Sequence, residues 1–251
     1  MRLGALLGPV PPNASPTFLA EQARTFAGEG FESLWSVQAI GRGFAITDPF
    51  VALSVAASVT EDVELGTAVV QVPLYHPVDL AHRVFSLMQI CGKRFLFGVG
   101  AGSTQKDFDA FGRDYTGRFR DLASSVTALR RLFADGRLGD IDLSPWPNVR
   151  GGPPLLLGAW GGSGVERAAR SYAGWIASAA YRSPAEIVGA LQRFRRAGGR
   201  RAIASTIQLG ASTDLVGTKD LLAEFAAAGF DDAVVMLMPG GPDAAHVRRL
   251  L

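Results

Sequence analysis

Cysteine is nearly missing from this chain. Cys91 stands alone among 251 residues, so no intrachain disulfide can form and no thiolate cluster is available to a metal. Histidine is almost as scarce: the three are scattered and none forms a His-x-x-x-His pair, so no metal site is expected. Charge of one sign is lacking too. The net charge of +2 leaves no basic face for nucleic acid. The one Arg-rich stretch (Arg193, Arg195, Arg196, Arg200, Arg201) closes a predicted helix and reads as a solvated helix end, where cations complement the dipole. No apolar run approaches the ~18 residues of a membrane helix. The apolar start at Leu3 to Leu7 is broken by Gly8-Pro9 and is too brief for a signal-peptide core. A cytoplasmic protein follows, with neither nucleic acid nor membrane as partner. Lysine is also rare. None of Lys93, Lys106 and Lys219 ends a predicted strand, which counts against a phosphate-substrate isomerase or aldolase.

Apolar residues are plentiful at 48%, enough for a sizeable core. Strand-like runs begin near Arg2, Ser33, Val63, Arg94, Pro154, Gly174, Arg201 and Asp231, most of them about 30 residues apart, the length of a βα unit. Between them lie helical periodicities such as Phe18, Leu19, Ala23, Phe26 and Ala27. Eight such units predict a single α/β domain over residues 1–251, a (β/α)8 TIM barrel. A doubly wound sheet would place Gly-x-Gly-x-x-Gly after the first strand, and Gly8-Pro9-Val10-Pro11 has no such spacing.

Punctuation agrees. Ser15-Pro16, Asp48-Pro49, His76-Pro77, Ser183-Pro184 and Gly241-Pro242 predict helix starts with Pro at the first helical position. Ser183 and Glu186 have the spacing of a capping box. Gly30, Gly92, Gly198 and Gly229 predict helix ends. One inter-strand interval is twice the usual length. It holds a helix-rich stretch from Lys106 to Phe133 and a Gly/Pro/Asp-rich loop from Ala134 to Gly152, expected to be a lid or an edge flap.

Chemistry in a parallel barrel sits at the C-terminal strand ends. Gly161-Gly162-Ser163-Gly164 follows the apolar run Leu155 to Leu157 and opens a helix, so its backbone N–H groups suit an anion. Ser163 reads equally as an ordinary N-cap. Gly100, Ala101, Gly102 and Ser103 end the fourth strand, where small residues let a flat ring approach the backbone; packing against a neighbouring helix is the alternative. His76 suits hydrogen bonding or proton transfer near neutrality, or a helix cap.

The order LGT (Leu65 to Thr67), VPLYHP (Val72 to Pro77), GKRFLFGVGAG (Gly92 to Gly102) and KDFDAFG (Lys106 to Gly112), with GFESLW upstream and PPLLLGAWGGSG downstream, resembles the bacterial luciferase-like superfamily. That family comprises flavin-dependent monooxygenases and F420-dependent oxidoreductases on a (β/α)8 barrel. The resemblance implies FMN or coenzyme F420 as cofactor, a small organic substrate, a flavin reductase or other reductant as partner, and a homodimer. The apolar helix from Phe50 to Val59 suits a dimer face or packing on the barrel. The resemblance further implies a non-prolyl cis bulge between Ala68 and Val69 beneath the ring, phosphate binding by Trp160, Gly161, Gly162, Ser163 and Gly164, and catalytic positions at His76, Asp107 and Gln38.

Three departures stand out. Ala101 lies where some relatives carry a phosphate-pairing Arg. Ser36-Val37-Gln38 lies where catalytic members present Glu-His, and Gln38 cannot transfer a proton at neutral pH. The insertion that relatives carry near the seventh strand is missing. A non-catalytic cofactor-binding or partner subunit of the same fold is therefore the alternative function.

Overall fold

The computed structural model describes residues 1–251. Eight parallel strands close on themselves: β1 (Arg2–Leu6), β2 (Ser33–Ser36), β3 (Glu64–Thr67, resuming at Val70–Gln71), β4 (Phe95–Gly100), β5 (Leu155–Gly158), β6 (Gly174–Ser178), β7 (Arg201–Leu209) and β8 (Asp232–Leu237). β8 pairs with β1, completing the ring expected from the βα spacing. The outer helices are α1 (Phe18–Gly28), α2 (Pro49–Val59), α3 (Pro77–Cys91), α4 (Gln105–Asp109), α5 (Arg118–Asp135), α6 (Gly162–Ser171), α7 (Pro184–Arg196), α8 (Leu215–Ala228) and α9 (Ala244–Arg248). Only residues 210–214 separate β7 from α8, so the long insertion near that strand is indeed missing.

Side chains alternate along each strand. Outward residues such as Leu34, Phe97, Trp175 and Val235 join one large core with the helices, while Leu6, Trp35, Leu96, Leu156, Ile176, Ile203, Val234 and Met236 fill the barrel. Trp35 is the largest of these and needs room. A Cβ on Gly66 would lie 2.3 Å from its ring, and one on Gly4 would lie 2.9 Å from its Nε1. Two strands therefore surrender their side chains to one indole, whose Nε1 donates to Ser33 Oγ at 2.8 Å.

The N-terminal end of the barrel is closed by charge. Arg2 meets Glu64 at 2.6 Å, and Arg201 meets Glu64 at 2.7 Å and Asp232 at 2.8 Å. Arg201 thus begins β7 inside an ion-pair network. This corrects the reading of the Arg-rich stretch as wholly solvated; Arg195 likewise pairs with Asp231 at 2.7 Å. The carboxylates that claim these arginines lie in β3, in β8 and on the residue just before β8, out of sight of any local pattern.

Local signals succeed where the cap is bound by its own helix. Asp48 accepts from Phe50 N and Val51 N, His76 from Val78 N, and Ser183 with Glu186 completes the capping box. Two starts come later than Ser15-Pro16 and Gly241-Pro242 suggest: α1 is preceded by Thr17 and α9 is capped by Asp243. The stretch from Lys106 to Phe133 is two helices, interrupted by a turn with Gly112 at φ 60°. The loop 134–152 holds a small hairpin (Arg137–Leu138 with Ile141–Asp142) and packs beneath the barrel, where Gly152 abuts Phe133 and Asn148 reaches Gln89. A loop that enters a strand lies at the strand's N-terminal end, so this one is no lid for the opposite mouth. The helix Phe50 to Val59 packs mainly inward, with Phe50, Ala52, Leu53, Ala56 and Ala57 buried. Cys91 is buried at the end of α3, and that burial pushes its thiol up to about 11.

Burial alone would raise the Glu64 carboxyl, but Arg201 and Arg2 outweigh it and hold it below the ordinary range. A carboxyl held low in the folded chain stabilises it above the unfolded value and loses that contribution as pH falls through the folded one. Glu64→Gln is expected to cost about 2 kcal/mol at neutral pH, less than a fully buried pair because the site is partly wet. In urea melts across pH the gap to wild type should narrow progressively as pH falls below the ordinary Glu value of about 4.3; a gap that stays constant down to acid pH would refute the role.

Candidate active site

The C-terminal mouth is shaped by an interruption in β3. Leu65 and Gly66 pair with Phe95 and Leu96, and pairing resumes with Val70 opposite Val99, so residues 67–69 face only 97 and 98. The extra residue forms a bulge with a cis peptide between Ala68 and Val69, at the position that the family resemblance implied. Thr67 Oγ1 donates to Gly98 O at 2.7 Å, and a Cβ on Gly98 would fall 1.8 Å from Thr67 O. Only glycine fits opposite the bulge.

Ala68 and Val69 are consequently half-buried, and with Val37 and Met238 they cover the top of the barrel interior. A Cβ on Gly100 or Gly158 would collide with the Val69 side chain, at 2.6 and 2.8 Å. The result is a low apolar shelf. Beyond β5, α6 begins at Gly162 with Gly161 as its N-cap and no side-chain cap bond. Ser163 is therefore not the cap, and the helix starts earlier than the body at Val165 to Ser171. Cβ atoms on Gly161 and Gly162 would meet nothing within 4 Å, and both residues are exposed, so the start of α6 is open to solvent.

The three positions singled out for catalysis are placed differently. Gln38 is buried; its Oε1 accepts from Gln71 N at 2.8 Å and its Nε2 donates to Tyr75 Oη at 2.5 Å. It braces the end of β3. Asp107 is fully buried and held by Arg42, with Nε at 2.8 Å and Nη2 at 2.5 Å, while Gln71 Nε2 donates to Oδ2 at 2.6 Å. The bond to Asp107 holds the Arg42 guanidinium even further above its ordinary value. His76 is exposed, with Nδ1 accepting from Val78 N at 3.3 Å as the cap of α3. The structure thus links Gln38 and Asp107 through Gln71, while His76 stands apart at the start of α3.

Around the turn Gly100 to Ser103, Ala101 is buried and Gly102 has φ 84°. A Cβ on Gly102 would lie 2.5 Å from Gln71 Oε1, a buried oxygen with no hydrogen-bond partner. Tyr115 Oη supports the turn by donating to Ser103 O at 2.9 Å.

Residues outside the sequence motifs complete the rim. Arg42 reaches past Asp107 to Tyr181 Oη at 3.1 Å, and Tyr181 lies 5.0 Å from the Trp160 ring, over which Arg182 is held at 5.6 Å. Loops after β2, β5 and β6 are thus tied across the mouth. A hollow of about 710 Å³ exists elsewhere, walled by Arg24, Glu61 and Arg94, but it lies among the C-terminal ends of α1–α3, away from these groups.

Comparison with known proteins matches residues 2–235 to the model of the luciferase-like monooxygenase family. A 4-hydroxyprotoasukamycin monooxygenase of Streptomyces nodosus subsp. asukaensis is 34% identical over 51% of this chain and 36% of its own. The chain spans about a third to a half of the length of the first curated relatives it matches. Among solved structures, an F420-dependent secondary alcohol dehydrogenase superposes with TM-score 0.79 at 14% identity, covering 100% of this chain and 98% of that one. The oxygenating constituent of 3,6-diketocamphane monooxygenase from Pseudomonas putida, in complex with FMN, gives TM-score 0.69 at 18% identity over 89% of this chain and 71% of that one. At such identities the likeness speaks for the fold alone.

Because Asp107 is wholly enclosed, removing its partner strands a charge. Arg42→Ala is expected to cost about 3 kcal/mol, and Arg42→Ala with Asp107→Asn markedly less than that. Calorimetry on the two variants checks this; equal losses would mean that the pair does not organise the rim.

Proposed function

Since this chain belongs to the luciferase-like monooxygenase family, we propose that it is an oxidoreductase holding FMN or coenzyme F420 across the barrel mouth and acting on a small organic molecule. The observation that carries this reading is the apolar shelf of Val37, Ala68, Val69 and Met238, bordered by side-chain-free Gly100 and Gly158 and opening onto the uncapped start of α6. A flat conjugated ring needs a shelf without side chains standing up from it, and its phosphate needs unpaired N–H groups at a helix N-terminus. Both are present and adjacent, so the residues fit the group. The two cofactors enter because one solved relative of this fold is F420-dependent and another is in complex with FMN.

When bound, the cofactor supplies the redox chemistry, as hydride exchange or as oxygen activation. The chain supplies the rest. Gly161 to Gly164 hold the phosphate, Ala68 and Val69 support the ring, and the rim of Trp160 and Tyr181 limits water. Gln38 and Asp107 act as positioning residues, since one carries no acidic proton and the other is engaged by Arg42 and Gln71. A flavin reductase or an F420-reducing enzyme would deliver electrons, and residues 1–251 would work as one unit. The second reading, a cofactor-binding subunit without turnover, draws on the same engagement of Gln38 and Asp107 and on a shelf of Val37, Ala68, Val69 and Met238, whose side chains transfer no proton.

Titration of the purified chain with FMN and with F420, followed by fluorescence and by oxygen uptake on reduction, decides among these. Binding with turnover supports the enzyme, binding without turnover the subunit, and binding of neither ends the proposal. Ser163→Asp is expected to weaken binding about tenfold by repelling phosphate while leaving melting unchanged or higher, because a carboxylate suits a helix start. Equal affinity in this variant would remove the phosphate from α6.

A further inference from the structure

Strand β7 breaks its own alternation. Ala204 and Ile207 both pack outward against the helices, and the register with β8 slips between them. Two residues, Ser205 and Thr206, occupy the place of one inward residue. Their hydroxyl oxygens lie 3.2 Å apart, a distance that consecutive side chains on opposite faces of a strand cannot reach. Both therefore face the barrel interior. Thr206 has φ 62°, an outlier for a β-branched residue that the surrounding sheet must enforce. Bulges of this kind re-aim a side chain.

Depth divides the pair. Ser205 is fully buried and has no side-chain partner except Thr206, whereas Thr206 is half-exposed at the mouth. Ser178, directly beside Ser205 in β6, also points inward, is half-exposed, and makes no side-chain hydrogen bond. Facing the apolar shelf across the mouth there is thus an arc of hydroxyls with spare hydrogen-bonding capacity. None is charged. Hydroxyls both donate and accept, which matches an uncharged oxygen better than a phosphate or an ammonium group.

We propose that Thr206 and Ser178 form a subsite for an uncharged carbonyl or hydroxyl oxygen of the ligand, with Ser205 as the positioning residue that fixes the Thr206 hydroxyl. The subsite rests on the shelf being the ligand site, and the oxygen belongs either to the cofactor or to the organic substrate. Thr206→Val keeps the branched shape and removes the hydroxyl; Thr206→Gly removes both the hydroxyl and the backbone outlier. The probes are FMN and F420, each titrated by fluorescence, and cyclohexanone added to the loaded protein and read by the ¹³C shift of its carbonyl.

Both variants are expected to weaken one of these bindings about fivefold, the worth of one neutral hydrogen bond. Thr206→Gly should at the same time melt higher than wild type, which a purely structural residue would not combine with lost affinity. Weaker FMN or F420 binding assigns the oxygen to the cofactor; a weaker cyclohexanone signal with cofactor affinity unchanged assigns it to the substrate. Unaltered binding of all three probes in both variants overturns the subsite while leaving the cofactor reading intact. If wild type itself binds neither FMN nor F420, the cofactor reading fails and the subsite with it.

Discussion

The contact between Thr67 and Gly98 is the constraint on which the upper half of this barrel depends. Parallel strands with matched registers close smoothly, and their inward side chains then meet in the middle. Here one strand carries a surplus residue at the point of closure. Gly98 absorbs it by having no side chain, and the displaced backbone is pushed up into the mouth as Ala68-Val69. Val69 then occupies the room left by Gly100 and Gly158. Three glycines on two strands and one bulge on a third thus form a single packing solution, with a low floor as its product.

Charge is distributed to suit that floor. At the lower end, Arg2, Glu64, Arg201 and Asp232 compensate one another across four strands, β1, β3, β7 and β8. At the upper end, Asp107 is the one carboxylate drawn fully inside, and Arg42 with Gln71 satisfies it. Pairing of this kind gives geometric definition more than net stability. It brings Arg42 within reach of Tyr181, so the order of the rim originates in a buried contact below it.

Strands and most helix starts were legible in the sequence because each is written in neighbouring residues, as where Asp48 caps the helix it precedes; the cis bulge was reached only through the family resemblance, since Ala68-Val69 by itself reads as ordinary buried strand. What was illegible depended on residues far apart in the chain. Nothing near Arg201 announces Glu64, and nothing near Arg42 announces Asp107. The loop 134–152 looks like a lid by composition, and only the direction of the strand that follows places it under the barrel. Thr206 gave no signal at all, since Ala-Ser-Thr-Ile reads as ordinary strand. His76-Pro77 was legible as a helix start, and His76 does cap α3; Gln38 was recognisable as a polar group near a strand end, while its work of bracing β3 depends on the backbone N–H of Gln71, far along the chain.

The lone sulfhydryl has a corollary of its own. Nucleophilic attack on peroxides and disulfides requires the ionised sulfur. With Cys91 shifted to about 11, roughly one molecule in ten thousand would carry it at neutral pH. Enclosure at the foot of the third helix withholds even that fraction from solvent. The one thiol of the chain is therefore a packing residue at the end of α3, held in its unreactive protonated form by its apolar surroundings.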